Sequence, residues 1–295
     1  MTKPKIGFIG LGLMGGAMVQ RLLDLGYDLT VLGNRDRTEL DKAIARGAIE
    51  AKTAKDLATA SEVIILCMGT SDHVESQIYG DDGVLAGANP GTLIIDTGTS
   101  LPGSTLKIGA DAAAKDVHYM DAPLGRTPSH GRDGMLNIMA AGDEADYARA
   151  KPILDDLGEN VFHVGPLAAG HTLKLINNFY AMTTAMAMSE AFAMADLAGL
   201  KRETLFEVMS AGPLKSGMME FIKAHAVDGD IQLAFSVSNA RKDVGYYSKM
   251  ADDFDVPSLM SGAAKTSLGM AKAQGFGDKM VPEMVDYFAK LFSKA

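Results

Sequence analysis

Residues 5–16, KIGFIGLGLMGG, constrain this chain more than any other stretch. An apolar run at 6–9 leads into Gly10-x-Gly12-x-x-Gly15, and an amphipathic segment at 17–25 follows, so the pattern reads strand, tight turn, helix. Gly10 permits the sharp turn, Gly12 lets a pyrophosphate approach the backbone, and Gly15 lets helix and strand pack closely. With Leu13 and Met14 between the last two glycines, the loop turns free N–H groups and the positive end of a helix dipole toward an anion.

The same alternation continues. Strand patterns fall at 28–32, 63–68, 92–96, 118–121 and 161–164, with a further apolar run at 136–141. Helical patterns fall between them at 41–48, 74–78, 105–115 and 145–157. Short apolar strands alternating with helices imply an α/β fold, a doubly wound parallel sheet covered on both faces. Near Gly165 the pattern changes. A helix is expected over 170–200, then others at 202–210, 218–226, 237–252, 258–274 and 279–294. The expected organisation is a Rossmann domain at 1–165 and an all-α domain at 166–295 that begins with a long interdomain helix. That helix is too long for either domain to satisfy alone, so it is expected to bridge both and to support a dimer. Its Met182, Met186, Met188 and Met194 read as core or subunit-interface packing.

Composition excludes several functions. A formal net charge of −9 over 295 residues argues against general nucleic-acid or acidic-membrane binding, while leaving room for a local basic pocket. The single cysteine, Cys67, cannot form an intrachain disulfide, and it lies in the 63–68 run expected to be a buried strand. A reducing, cytoplasmic location is the expectation. The fold is expected to begin within five residues, leaving no room for a signal peptide, and no apolar run reaches membrane-spanning length. His73, His118, His130, His163, His171 and His225 lack metal-ligand spacing, so no metal site is expected.

Candidate chemistry collects at a few places. After the second strand, where an acid commonly holds the ribose hydroxyls of NAD(H), the sequence is Gly33-Asn34-Arg35-Asp36-Arg37. Asn34 and Arg35 stand in the acid's place and suit a 2′-phosphate, which favours NADP(H); Asp36, one register on, keeps NAD(H) open. Met68, closing the 63–68 run, is placed with the cofactor-binding residues. Asp96-Thr-Gly-Thr99 ends at the same carboxyl edge, so Thr99 is a candidate contact for the cofactor or the reacting group. Asp121-Ala-Pro-Leu-Gly125-Arg126-Thr127 also follows a strand, and Arg126 offers a planar fork of donors for a carboxylate, sulfonate or phosphate. In the long helix Lys174 and Asn178 are one turn apart with Asn177 adjacent, while Leu173, Leu175 and Ile176 are expected on packed sides. An ammonium and an amide so placed can polarise a substrate oxygen and supply a proton as hydride arrives at carbon. Lys242-Asp243, within a later helix, is alone uninformative, since such a pair is usually a solvated face.

Five segments together resemble the β-hydroxyacid dehydrogenases, the family of 3-hydroxyisobutyrate dehydrogenase: FIGLGLMGGAM (8–18), IIDTGTSLP (94–102), DAPLGRTPSHGRDGMLNIMAAGD (121–143), GHTLKLINN (170–178) and KDVGYY (242–247). The resemblance covers nearly the whole chain. It implies an NAD(P)-dependent oxidoreductase acting on a short anionic β-hydroxy acid or its semialdehyde, usually as a homodimer or homotetramer. It also implies Lys174 as the catalytic lysine, Asn178 as its substrate-binding partner, Lys242 as the lysine closing over nicotinamide and substrate, and Thr99 as a neighbour of the nicotinamide. Where most members carry Ser-Gly-Gly, this chain has Gly125-Arg126-Thr127, a version that resembles a sulfonate-binding member. Gly98 stands where serine is common and Ala168 where glycine is common. The family also includes imine reductases, which generally lack a lysine at position 174. A rival from another class is a cofactor-binding module that has lost catalysis; retention of Lys174, Asn178 and Lys242 together argues against it.

Overall fold

The computed structural model describes residues 3–33 and 36–293. Its elements run β1 (Ile6–Ile9), α1 (Leu13–Asp24), β2 (Leu29–Leu32), α2 (Thr38–Ala45), β3 (Ile49–Ala51), α3 (Ala54–Thr59), β4 (Val63–Leu66), α4 (Ser71–Ile78) and α5 (Val84–Gly87). There follow β5 (Leu93–Asp96), α6 (Pro102–Ala113), β6 (His118–Asp121), β7 (Leu124–Gly125), α7 (Pro128–Asp133), β8 (Leu136–Ala140), α8 (Glu144–Leu157) and β9 (Gly158–His163). The remainder is helical: α9 (Ala169–Leu197), α10 (Arg202–Ser210), α11 (Gly217–Ala226), α12 (Val237–Asp253), α13 (Leu259–Ala271) and α14 (Met284–Phe292). The architecture is therefore an N-terminal Rossmann-like α/β part followed by an all-α part. By compactness the chain divides into Met1–Lys174 and Leu175–Ala295, so the opening turns of α9 fall with the first unit.

Six strands form one parallel sheet in the order β3-β2-β1-β4-β5-β6. Strands β1, β4 and β5 are buried along their whole length, as parallel strands covered on both faces must be. One apolar cluster, including Phe8, Met18, Leu22 and Leu154, fills one face; a second, including Leu57, Ile64, Val74 and Ile108, fills the other. The order reverses at β1 and β4. At such a switch point the loops leave the carboxyl ends of neighbouring strands in opposite directions and open a crevice.

The expected single sheet is corrected at its end. The runs at 136–141 and 161–164 do not extend it; β8 and β9 form a separate sheet with β7, which pairs antiparallel to β8. The chain reverses after β7, where Arg126 has φ 76°, and an antiparallel bridge between Asp121 and Ala141 links the two sheets. Elements β3, α3, α5 and α7 are short and carry little periodicity, and the sequence reading passed over them. In the second unit, the helix expected over 258–274 ends at Ala271 and passes into a π-turn, Lys272–Phe276, whose Gly275 has φ 88°. The helix expected from 279 starts later, after a 3₁₀ turn at Val281–Glu283 set by Pro282. Met182, Met186 and Met188 lie in the core of this unit beside Phe192 and Leu268, whereas Met194 is exposed. Leu173 and Ile176, expected to be packed, are also exposed, and only Leu175 of the three is buried.

The glycine loop shows different steric demands at its three positions. Gly10 has φ 101°, and a β-carbon there would lie 2.3 Å from the Cys67 carbonyl oxygen. A β-carbon at Gly15 would lie 1.8 Å from the Gly10 carbonyl oxygen. At Gly12 a β-carbon would meet no atom within 4 Å. Cys67 follows β4 instead of lying within it, and burial pushes its thiol up to about 11, with Asp96 adding to the effect.

Gly15→Ala is expected to lose about 1–3 kcal/mol of stability through overpacking, and Gly12→Ala to change it by less than about 1 kcal/mol, as read by denaturant unfolding. Equal losses would show that the loop has relaxed away from this packing. Cys67 is expected to resist alkylation at pH 8 and to react about ten-fold faster for each pH unit up to its titration point; a fast reaction at neutral pH would exclude the raised value.

Candidate active site

Gly10 and Gly12 follow β1, Met68 follows β4 and Thr99 follows β5, so these predicted residues lie at the carboxyl edge of the parallel sheet. Helix α1 begins at Gly12 with no side-chain cap and no acid in its first turn, which leaves its amino end suited to an anion. Leu13 is exposed and Met14 half-buried on that turn. A cavity of about 580 Å³ opens there, lined by Gly10, Leu11, Gly33, Lys52, Met68 and Tyr79 among others. Its size is that of a small-molecule site, and its place is the switch point of the sheet. These features fit the expected dinucleotide, with room for a pyrophosphate at Gly12 and none for a side chain at Gly10.

Thr99 lies in a turn built by Asp96, whose Oδ1 accepts the Gly98 N–H at 2.9 Å and whose Oδ2 accepts the Ser100 hydroxyl at 2.9 Å. A β-carbon at Gly98 would come within 2.9 Å of the Met68 carbonyl oxygen, which accounts for glycine at this position and brings the Met68 and Thr99 segments together. Asn34 and Arg35 lie outside the described residues. Asp36 spends Oδ1 on the Thr38 N–H at 2.9 Å, and that bond holds its carboxyl below the ordinary carboxylate range. Arg37 is paired with Glu50 and Asp41.

Arg126 has a left-handed backbone, and its Nη1 donates to the Met135 carbonyl at 2.8 Å and pairs with Glu159. Among the described residues no hydrogen bond takes up its Nε or Nη2. Gly125 packs on Asn137, and the Thr127 hydroxyl bonds Ser129 and His130 as α7 begins.

The start of α9 is held from the same edge. The Asp121 carboxylate accepts the N–H of Ala168 at 2.8 Å and of His171 at 2.6 Å. Asp96, Asp121 and His171 are each 0 % exposed, and the His171 Nδ1 lies 2.7 Å from the Thr105 hydroxyl. Burial raises the Asp121 carboxyl above its ordinary range, partly opposed by His171 and the two backbone donors. Each charge-assisted bond contributes about 1.5–3 kcal/mol against that burial. Lys174 is half-buried one turn further along.

In the second unit the structure joins Asn178 and Lys242 through Asp243, a residue on which the sequence alone is uninformative. Asp243 is 2 % exposed; its Oδ2 accepts the Asn178 amide at 2.6 Å and its Oδ1 pairs with the Lys242 ammonium at 2.9 Å. Asn177 in turn donates to the Asn178 oxygen at 3.1 Å. Asp243 is thus not on a solvated face: it faces inward on α12. Its three-residue spacing to buried Ala240 on that helix was the available signal.

Two family models match the chain in succession. Residues 5–165 match the NAD binding domain of 6-phosphogluconate dehydrogenase, and residues 168–288 match the NAD-binding domain of NADP-dependent 3-hydroxyisobutyrate dehydrogenase. The 3-sulfolactaldehyde reductase of Escherichia coli is 32% identical over 276 residues, 92% of this chain and 91% of that protein. The 2-(hydroxymethyl)glutarate dehydrogenase of Eubacterium barkeri matches at the same 32% over 276 residues, again 92% and 91%, so overall likeness does not choose between them. Among solved structures, a 3-hydroxyisobutyrate dehydrogenase from Salmonella typhimurium aligns with a TM-score of 0.84 at 26% identity, covering 96% of this chain and 99% of that one. The chain belongs to the 3-hydroxyisobutyrate dehydrogenase-like family of NAD(P)-binding oxidoreductases, the β-hydroxyacid dehydrogenases.

Proposed function

We propose that this protein is an NADP(H)-preferring oxidoreductase interconverting a short anionic β-hydroxy acid, or its hydroxy-sulfonate analogue, with the corresponding semialdehyde. The observation that carries the reading is the Asn178–Asp243–Lys242 cluster, with Lys174 one turn before Asn178 on α9. A buried carboxylate that restrains both an amide and an ammonium fixes polar groups where burial would otherwise disfavour them.

In this reading the backbone of Gly10, Gly12, Leu13, Met14 and Gly15, with Met68 and Thr99, holds the dinucleotide. When bound it supplies or accepts the hydride. Asn178 orients the reacting oxygen, and Lys174 gives it a proton during reduction or withdraws one during oxidation. Lys242 and Asn177 add contacts to the substrate. The open Nε and Nη2 of Arg126, with the backbone of Gly125 and Thr127, hold the anionic end. The commitment of Asp36 to its own turn supports Arg35, with Asn34, as the reader of a 2′-phosphate. Exposed Leu173, Ile176 and Tyr180 on α9 support assembly into a homodimer or homotetramer.

The test is a purified-protein screen, following NADPH and NADH absorbance against sulfolactaldehyde, succinic, methylmalonic and tartronic semialdehydes and cyclic imines. Turnover of an anionic semialdehyde is expected; tight cofactor binding without any turnover would favour a binding module, and turnover of imines alone an imine reductase. Lys174→Ala is expected to lower kcat about 10²–10⁴-fold with little change in NADPH affinity, and unchanged turnover would sink the mechanism. Arg126→Ala is expected to raise KM for anionic aldehydes about ten-fold and leave a neutral aldehyde unaffected. An equal effect on both would make Arg126 a strut between Glu159 and Met135.

A further inference from the structure

Helix α9 starts where its own sequence gives no start signal. Ala168 precedes the helix and has no side chain that can cap it, and at φ 75° it holds a left-handed backbone that alanine disfavours. The missing cap comes from β6. Asp121 Oδ1 takes the Ala168 N–H and Oδ2 takes the His171 N–H, the third amide inside the helix and the one that a local cap would bind. The fit is close on the other side as well. A β-carbon at Gly170 would lie 2.3 Å from the Met139 carbonyl oxygen and 2.8 Å from Asp121 Oδ2. The imidazole of His171 completes the seat, tied to Thr105 on α6, with its Nε2 3.7 Å from Asp96 Oδ2. Asp96 is the residue that also shapes the Thr99 turn. No ligand role accounts for this cluster, and every member is buried.

We propose that Asp121 is a positioning residue for Lys174. Its carboxylate clamps the first turn of α9 to the carboxyl edge of the cofactor sheet and so fixes the position and direction from which the lysine side chain leaves the helix. The proposal rests on the assignment of Lys174 as the proton carrier. It gives the buried carboxylate a task that an apolar residue could not perform, because each of its oxygens accepts one of the two N–H groups.

The experiment is a double-mutant cycle with an activity-independent readout. Asp121→Asn keeps the volume and loses one acceptor. It is expected to lower kcat about a hundred-fold through misplacement of the lysine, with NADPH affinity unchanged by fluorescence titration. In the Lys174→Ala background the same substitution is expected to cause no further loss. Without cofactor, hydrogen exchange in Asp121→Asn is expected to rise at residues 168–174 and not in β1 or β4. Gly170→Ala pushes on the same turn without changing charge; it is expected to repeat the pattern, and it serves if Asp121→Asn does not fold. A further, multiplicative loss in the Lys174→Ala background, or NADPH affinity falling in step with kcat, would make Asp121 a general support of the sheet and overturn the proposal. If Lys174→Ala alone turns over like the wild type, the assignment of the lysine fails and the proposal falls with it.

Discussion

The first unit depends on how closely two backbone segments approach at the glycine loop. A side chain at position 15 would collide with the Gly10 carbonyl, and one at position 10 with the Cys67 carbonyl, unless the backbone shifts. These contacts seat α1 against β1 and β1 against the end of β4. They also leave the amino end of α1 uncapped over open space at Gly12. A helix end without protein partners is costly when enclosed and useful when an anion completes it. The same few atoms therefore define the switch point of the sheet and make it receptive.

Much of this was legible in the residues because it rests on local rules. The three glycines, the apolar runs of β1, β4 and β5, and the change to helical periodicity after Gly165 each follow from periods and turn chemistry that one strand or helix can express. The sequence was silent where a partner distant in the chain decides the outcome. Asp243 looked like half of an exposed ion pair until Asn178, 65 positions away, turned out to be its partner. The departure of β7, β8 and β9 from the main sheet depends on a reversal at Arg126, a residue whose type gives no sign of a left-handed backbone.

Arg126 and Ala168 share a property that bears on specificity. Both adopt positive φ, the backbone conformation that favours glycine. Such strain persists only where surrounding contacts over-determine the geometry. Glu159 and the Met135 carbonyl do so for Arg126, and Asp121 does so for Ala168.

The reach of the Asp121 bonds also bears on how the chain assembles. They close 47 and 50 positions of chain, so the boundary of α9 is written in a different part of the sequence from the helix itself. When α9 leaves the ribosome, no side-chain cap in the adjoining sequence fixes where it begins. Its register becomes definite only when β6 and the hairpin beyond it have formed, because the entropy of closing that long loop must be met first. Folding order is thereby coupled to function: the lysine-bearing turn acquires its final form in the step that completes the edge of the sheet.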